Sequence, residues 1–160
     1  MIYTVEYVRR QLQLQTAPPK KLEQVEVWRK SFQQCRFRYK FLVLDGPSQT
    51  GKTLFCRSLS PDRAAYLEID CAYADMPDLK DFKSGVHKVV LCDEGTCEMV
   101  LKYKKLFQAS AAYVTMGSSR TNCHAYTIWC HSVMFVVASN KWASQKAKLE
   151  PEDAAWLDAN

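Results

Sequence analysis

The sequence has little glycine, little histidine and no long apolar run, and these shortages exclude several classes of protein. No run approaches the roughly 18 apolar residues that a membrane-spanning helix needs. The first ten residues, MIYTVEYVRR, contain no apolar core long enough for a signal peptide. We therefore expect an intracellular protein with no membrane partner. With 48% hydrophobic and 24% charged residues, the composition is typical of a folded globular chain.

The cysteines lack the arrangement of a zinc site or a disulfide scaffold. Seven cysteines are scattered along the chain, several of them within apolar runs, and no two form a C-x-x-C pair. Zinc ligands occur in clusters, and a disulfide scaffold uses an even number of cysteines. We therefore expect buried, reduced thiols.

Acidic residues are scarce in the first quarter of the chain, whereas basic residues are abundant there and the net charge of the whole is +5. The basic residues are Arg9, Arg10, Lys20, Lys21, Arg29, Lys30, Arg36, Arg38 and Lys40. This bias suits a polyanionic partner, and a solvated linker surface is the alternative.

The prolines of TAPPKK interrupt regular structure. We expect residues 1–39 to form a basic segment with a linker and an amphipathic helix, a candidate oligomerisation element, and residues 40–160 to form one domain.

Short apolar runs alternate with amphipathic segments from Lys40 onward. FLVLD, AAYLEI, HKVVLCDE and SVMFVVASN are typical of buried strands, while KTLFCRSL, EMVLKYKKLF and the acidic tail are typical of helices. Two strand-like runs flank a polar turn in SAAYVTMGSSRTNCHAYTIWC, which predicts a β-hairpin. The pattern predicts an α/β fold with a mostly parallel sheet flanked by helices, and a hairpin inserted before the last core strand.

The segment between the first strand and the first helix of this domain fits the pattern G-x-x-x-x-G-K-[ST]. Its residues are Gly46, Pro47, Ser48, Gln49, Thr50, Gly51, Lys52 and Thr53. In this pattern, backbone N–H groups surround the phosphates of a nucleotide, the lysine reaches the β- and γ-phosphate oxygens, and the threonine hydroxyl binds Mg²⁺. A glycine-containing turn without function is the alternative. The surrounding strand and helix favour a P-loop that binds ATP and Mg²⁺.

Two further strands end in polar residues that complete such a site. Asp93 and Glu94 follow VVLC, where Asp93 is suited to hold the metal and Glu94 to polarise the attacking water. Alternatively, both residues cap the following helix. Asn140 ends VVASN, and its amide can both donate and accept a hydrogen bond between the γ-phosphate and the water. An ordinary turn residue is the alternative for Asn140.

With these motifs the sequence resembles the superfamily 3 helicase domain of Rep proteins from circular single-stranded DNA viruses and their genome-integrated relatives. The resemblance covers about residues 40–140, with GPSQTGKT as Walker A, VVLCDE as Walker B, VVASN as motif C and KLFQASAAYVTMGSSRTNCHAYTIW as the B′ region. It implies an AAA+-like P-loop NTPase fold and a homo-oligomeric ring, expected to be a hexamer. It also implies ATP-driven movement along single-stranded DNA in the nucleus, with Lys52, Glu94 and Asn140 as catalytic residues.

The resemblance further implies that the tip of the hairpin grips DNA. The tip consists of Ser118, Ser119, Arg120, Thr121, Asn122, Cys123 and His124. Arg120 and His124 are suited to contact phosphates, and Tyr126 or Trp129 could offer a base a stacking face. The alternative is that both aromatic residues pack in a core and that Arg120 is merely solvated.

The chain departs from full-length Rep proteins in two respects. Its only histidines are His87, His124 and His131, so the His-hydrophobe-His motif of the Rep nickase is absent. The sequence also stops shortly after motif C, so we expect the final sheet strand and the arginine finger that such ATPases supply in trans to be missing. Two other functions remain open: a small P-loop kinase, and an ATP-binding domain with little turnover.

Overall fold

Four parallel strands form the central sheet of the protein. The structure, a computed structural model, describes residues 23–117 and 125–160. The sheet contains β1 (Leu42–Asp45), β2 (Tyr66–Asp70), β3 (Val89–Asp93) and β6 (Met134–Ser139), in the order β1-β6-β3-β2. The predicted α/β fold with a parallel sheet flanked by helices is confirmed.

The residue composition of the strands agrees with their positions in the sheet. The central strands β3 and β6 are nearly continuous apolar runs and are buried almost throughout, as expected for strands covered on both faces. The outer strands β1 and β2 are partly exposed. The central strand β6, which follows the other three along the chain, pairs with β1 on one side and with β3 on the other.

Six α-helices and one 3₁₀ turn connect or flank the strands in the described part of the chain. The helices are α1 (Glu23–Ser31), α2 (Lys52–Ser58), α3 (Cys97–Lys102), α4 (Lys104–Phe107), α5 (Trp142–Lys146) and α6 (Pro151–Ala159), and the 3₁₀ turn is Arg63–Ala65. The amphipathic helix predicted within residues 1–39 ends at Ser31, because Phe32 stacks on Tyr39, with ring centroids 4.5 Å apart. This stacking requires the chain to turn back after Ser31. The segment EMVLKYKKLF is divided into α3 and α4 at Tyr103, whose dihedral angles are not helical.

The two faces of the sheet are covered by separate hydrophobic layers. On one face, Val25 of α1 and Cys56 of α2 pack with sheet residues such as Leu91. On the other face, a larger layer contains Phe107 and Trp142 together with sheet residues of alternate register. The buried cysteines are Cys56, Cys71, Cys92, Cys97 and Cys130, and they are free thiols as predicted, whereas Cys35 is exposed.

The predicted hairpin is present between α4 and β6. Its strands β4 (Tyr113–Met116) and β5 (Tyr126–Trp129) form a separate antiparallel sheet. Val114 and Ile128 face inward, while Tyr113 and Trp129 face solvent. The predicted tip, residues 118–124, lies outside the described residues, as do residues 1–22 with the predicted linker. No helix in 23–117 or 125–160 is long and apolar enough to cross a membrane.

Candidate functional site

The three predicted motifs meet at the carboxyl edge of the sheet, because they follow three neighbouring strands. Asp45 at the end of β1 is paired with Ser139 of β6, and Asp93 at the end of β3 is paired with Ala138 of β6. Adjacent strands lie about 4.8 Å apart. The residues after these strands therefore lie within side-chain reach of one another.

The 46–53 segment forms a loop followed directly by a helix. The N–H of Gly46 donates to the carbonyl of Ser139 (3.2 Å), which fixes the start of the loop to the central strand. Gly51 has a φ of 86° and stands at the N-cap of α2 without a side-chain hydrogen bond. Glycine is favoured at this positive φ, and it leaves the first N–H groups of the helix without a side-chain cap.

Lys52 has all three of its ammonium protons engaged. Its Nζ donates to the carbonyls of Gly46 (2.7 Å) and Pro47 (2.8 Å) and to Oδ1 of Asn140 (2.7 Å). An ammonium group has three donors and no acceptor. An anion that binds this lysine must therefore replace at least one of these partners, and the two loop carbonyls are neutral groups that a phosphate oxygen can displace.

Asn140 is the residue that joins the three motifs. While its Oδ1 accepts from Lys52, its Nδ2 donates to Oε1 of Glu94 (2.6 Å) and to Oγ of Ser48 (3.1 Å). These contacts reach the loop, the β3 end and the helix start. An ordinary turn residue would not need hydrogen bonds to Lys52, Ser48 and Glu94. The contacts of Asn140 therefore favour a role in the site.

Asp93 and Glu94 do not cap the helix that follows them. Thr96 is the N-cap of α3, and its hydroxyl accepts from the N–H of Met99 (3.2 Å). Glu94 is exposed and has a φ of 56°, an uncommon conformation for a residue other than glycine. Strained residues of this kind cluster at functional sites. Both carboxylates are therefore available for a role in the site.

Asp93 lies close to α2, the helix that begins at the end of the 46–53 loop. The thiol of Cys56, one turn beyond Thr53 on α2, has its pKa raised to about 12, by burial first and then by the negative charge of Asp93.

The Thr53 hydroxyl and the Asp93 carboxylate supply oxygen atoms, which Mg²⁺ prefers. No group of three His, Cys, Asp or Glu residues suited to a metal occurs in 23–117 or 125–160. Mg²⁺ at a nucleotide site needs only one or two protein ligands, because phosphates and waters supply the others. The donor set fits Mg²⁺.

Asp45 was not predicted from the sequence as a residue of the site. It stabilises the site through hydrogen bonds to the helix that follows Asn140. Its carboxylate oxygens accept from the N–H groups of Trp142 (3.2 Å) and Ala143 (3.1 Å) at the start of α5. The carboxylate therefore links the beginning of the loop to the segment that carries Asn140. The only signal in the sequence is an acidic residue at the end of an otherwise apolar strand.

Of the four hairpin residues predicted to contact DNA, two are described by the structure, one of them partly buried and the other exposed. Arg120 and His124 lie outside the described residues. Tyr126 is partly buried, and its hydroxyl accepts from the N–H of Leu79 (2.8 Å), so it anchors the hairpin to the β2–β3 connection. Trp129 is exposed and lies beside Tyr113, with ring centroids 5.0 Å apart. Only Trp129 of the two predicted aromatic residues presents its ring to solvent.

Comparison with known proteins does not place the chain in a family. No protein-family model matches it, and no curated protein sequence is significantly similar to it.

Proposed function

We propose that this chain is the ATP-hydrolysing core of a superfamily 3-like helicase, with an AAA+-like P-loop NTPase fold, that moves along single-stranded DNA. The observation that carries the proposal is the bridge from Lys52 through Asn140 to Glu94. ATP hydrolysis needs a cation for the phosphates and a group that orients the attacking water. The Asn140 amide is hydrogen-bonded to a candidate for each role: to Lys52, the cation, and to Glu94, the group that orients the water.

In the proposed reaction, the N–H groups of the 46–53 loop bind the phosphates of ATP. Lys52 exchanges its bonds to the Gly46 and Pro47 carbonyls for bonds to β- and γ-phosphate oxygens. Glu94 accepts a proton from water as the water oxygen forms a bond to the γ-phosphorus. The bond from that phosphorus to the β–γ bridging oxygen breaks, and ADP and phosphate are released. Asn140 orients the water and contacts the γ-phosphate.

Thr53 and Asp93 are the residues that would hold Mg²⁺ in this proposal. The ion supplies positive charge that neutralises the developing charge on the phosphate oxygens. Asp93 needs no direct bond to the ion, because Mg²⁺ usually keeps several of its waters.

Single-stranded DNA and further copies of the chain are the proposed partners. An inserted hairpin and an excess of basic residues support a polyanionic ligand. We propose a ring, with six copies as the family resemblance implies, in which each ATP lies between two subunits. A nuclear location belongs to the same proposal.

Steady-state ATP hydrolysis, measured with and without single-stranded DNA, tests this function. Lys52→Ala should lose nucleotide binding and turnover together. Glu94→Gln should retain nucleotide binding but lose about 10²- to 10⁴-fold in turnover, which is the usual contribution of a general base. Glu98→Gln is the matched control, because Glu98 is also an exposed carboxylate, in the first turn of α3, and should change neither quantity.

The same assay distinguishes the alternatives. Turnover that increases with DNA and with protein concentration supports a ring motor. Transfer of labelled γ-phosphate to an added acceptor rather than to water would identify a kinase. Nucleotide binding without turnover at any protein concentration would identify an ATP-binding domain and refute the motor. Equal turnover in Glu94→Gln and Glu98→Gln would exclude Glu94 as the base.

A further inference from the structure

An exposed group of aromatic rings lies at the base of the hairpin, away from its tip. Tyr113 and Trp129 are directly opposite each other on β4 and β5, and 71% and 38% of their surfaces are exposed. Their rings lie on the solvent side of the hairpin, where the neighbouring cross-strand pair is Thr115 and Thr127. Aromatic residues at these positions contribute little to the core.

A second chain segment extends this aromatic surface and adds positive charge to it. The carbonyl of Phe37 accepts from the N–H of Ala111, just before β4 (3.0 Å). The carbonyl of Arg36 contacts Nε2 of His131, just after β5 (2.8 Å). Residues 36–38 therefore lie against the base of the hairpin, beside the start of β4 and the end of β5. Phe37 is 64% exposed.

Among the described residues, the two arginines of this segment have no acidic partner. The Arg36 guanidinium donates to the neutral amide oxygen of Gln34 (2.6 Å and 3.1 Å), and the Arg38 guanidinium lies over the Phe37 ring, 5.7 Å from its centroid. The four ion pairs of the described residues involve neither of them. Both positive charges remain available to a ligand.

The distribution of acidic residues along the chain favours a polyanion at this surface. Neither residues 27–44 nor residues 99–149 contain a single Asp or Glu, and these two ranges supply the whole surface. By contrast, the β2–β3 connection contains Asp75, Asp78 and Asp81. Exposed aromatic rings combined with unpaired arginines match the chemistry of single-stranded nucleic acid, whose bases offer ring faces and whose backbone carries negative charge.

We propose that Phe37, Tyr113 and Trp129, together with Arg36 and Arg38, form a platform on which bases of a single-stranded nucleic acid stack. The rings contact the bases and the guanidinium groups contact the phosphates. The platform is separate from the tip residues Arg120 and His124. It rests on the proposed function only in its choice of ligand, because it requires neither ATP nor turnover.

Fluorescence anisotropy of labelled oligo(dT), measured on the full chain without nucleotide, tests the platform. Trp129→Leu keeps an apolar side chain but removes the ring, and should weaken binding about 5- to 150-fold, the range expected for the loss of one stacked base. Trp129→Phe keeps a ring and should retain most of the affinity. Tyr113→Ala should weaken binding in the same range. Tyr73→Ala is the control, because Tyr73 is an exposed aromatic residue on the acidic β2–β3 connection, and it should have no effect.

The contribution of the arginines is measured by the salt dependence of the affinity. For single strands, log K falls with log salt by about 0.7 per phosphate contact. Arg36→Gln with Arg38→Gln should therefore reduce this slope by about 1.4. Arg63→Gln, an exposed arginine in the 3₁₀ turn before β2, should leave the slope unchanged.

Three outcomes would overturn the platform. One is equal loss of affinity in Trp129→Leu and Trp129→Phe. Another is equal affinity for duplex and single-stranded DNA, because paired bases are already stacked on each other. The third is a change of oligomeric state in Trp129→Leu with unchanged oligonucleotide affinity, which would make this surface a contact between copies. Binding of oligo(U) as well as oligo(dT) supports stacking and phosphate contact without a 2′-hydroxyl requirement, and a preference for either identifies the strand.

The outcomes also separate the platform from the motor. If oligonucleotide binding depends on Trp129 but ATP is not hydrolysed, the platform holds and the motor fails. If DNA stimulates hydrolysis but all platform variants bind normally, the motor holds and the platform fails.

Discussion

Gly95→Ala should destabilise the protein, although the glycine does not have an unusual backbone angle. Gly95 is buried directly after Glu94, and its N–H donates to the carbonyl of Ala138 (3.1 Å). A Cβ atom at this position would lie 2.6 Å from Cγ1 of Val137 and 3.4 Å from the carbonyl oxygen of Cys92. Carbon atoms pack best at about 3.5–4.0 Å, so the neighbours must shift by about 1 Å.

The surroundings make that shift costly. Val137 is fully buried in the central strand β6, and its branched side chain has few rotamers available. Overpacking in such a core costs about 1–3 kcal/mol. Restricting the unfolded chain by replacing glycine with alanine returns about 0.4–1 kcal/mol. The free energy of unfolding should therefore fall by about 1–2 kcal/mol, which corresponds to a Tm lower by about 2–8 °C for a chain of this size.

Urea unfolding of Gly95→Ala, Val137→Ala and the double variant measures this effect. The double variant should lose at least about 0.5 kcal/mol less than the sum of the single variants, because removing the valine methyl groups makes room for the alanine. Gly46→Ala is the control for stability, since its Cβ would meet only Oγ1 of Thr50, at 3.8 Å. Unchanged stability in Gly95→Ala, or strict additivity in the double variant, would refute the packing argument.

The remaining predictions concern the network at the carboxyl edge and the buried thiols. Asp45→Ala removes the acceptor for two N–H groups and should cost about 1–2 kcal/mol in thermal unfolding, whereas unchanged stability would show that these hydrogen bonds contribute nothing net. Asn140→Ala should lower ATP turnover about 10²-fold by analogy with loss of one transition-state donor, and unchanged turnover would contradict a role for the Asn140 amide in the reaction. Burial raises the pKa of Cys56 and of Cys130 to about 12. Both thiols are protonated in the folded and unfolded states below pH 9, but only the unfolded thiols ionise between pH 9 and 12. Stability should therefore fall by about 1.4 kcal/mol per thiol per pH unit above pH 9, and constant urea midpoints from pH 8.5 to 10.5 would contradict this.

The features that the sequence predicted best depend on short-range patterns. The apolar runs of β1, β3 and β6 and the loop between Gly46 and Thr53 could be recognised without tertiary information, because strand burial and loop chemistry are written in consecutive residues. The carboxyl ends of parallel strands meet at one edge, so the meeting of Lys52, Glu94 and Asn140 followed from the strand pattern.

The features that the sequence did not predict depend on contacts between distant residues. The hydrogen bond of Asp45 to Trp142 spans 97 positions, and nothing local marks the aspartate as an acceptor. The end of α1 at Ser31 depends on the stacking of Phe32 on Tyr39. Likewise, the alternating pattern of β5 cannot tell which aromatic residue is anchored and which is exposed.

The position of β6 in the sheet has a consequence for how the protein is made. The strand that joins β1 to β3 is the last of the four described strands to be synthesised, so the edges of β1 and β3 that pair with it stay unpaired until residues 134–139 are available. Such non-local pairing slows folding and prolongs the exposure of aggregation-prone segments. The nascent chain should therefore depend on chaperones late in its synthesis. The 46–53 loop is the first part of the site to be translated, yet it acquires its final shape among the last, because Gly46 and Lys52 find their partners on Ser139 and Asn140.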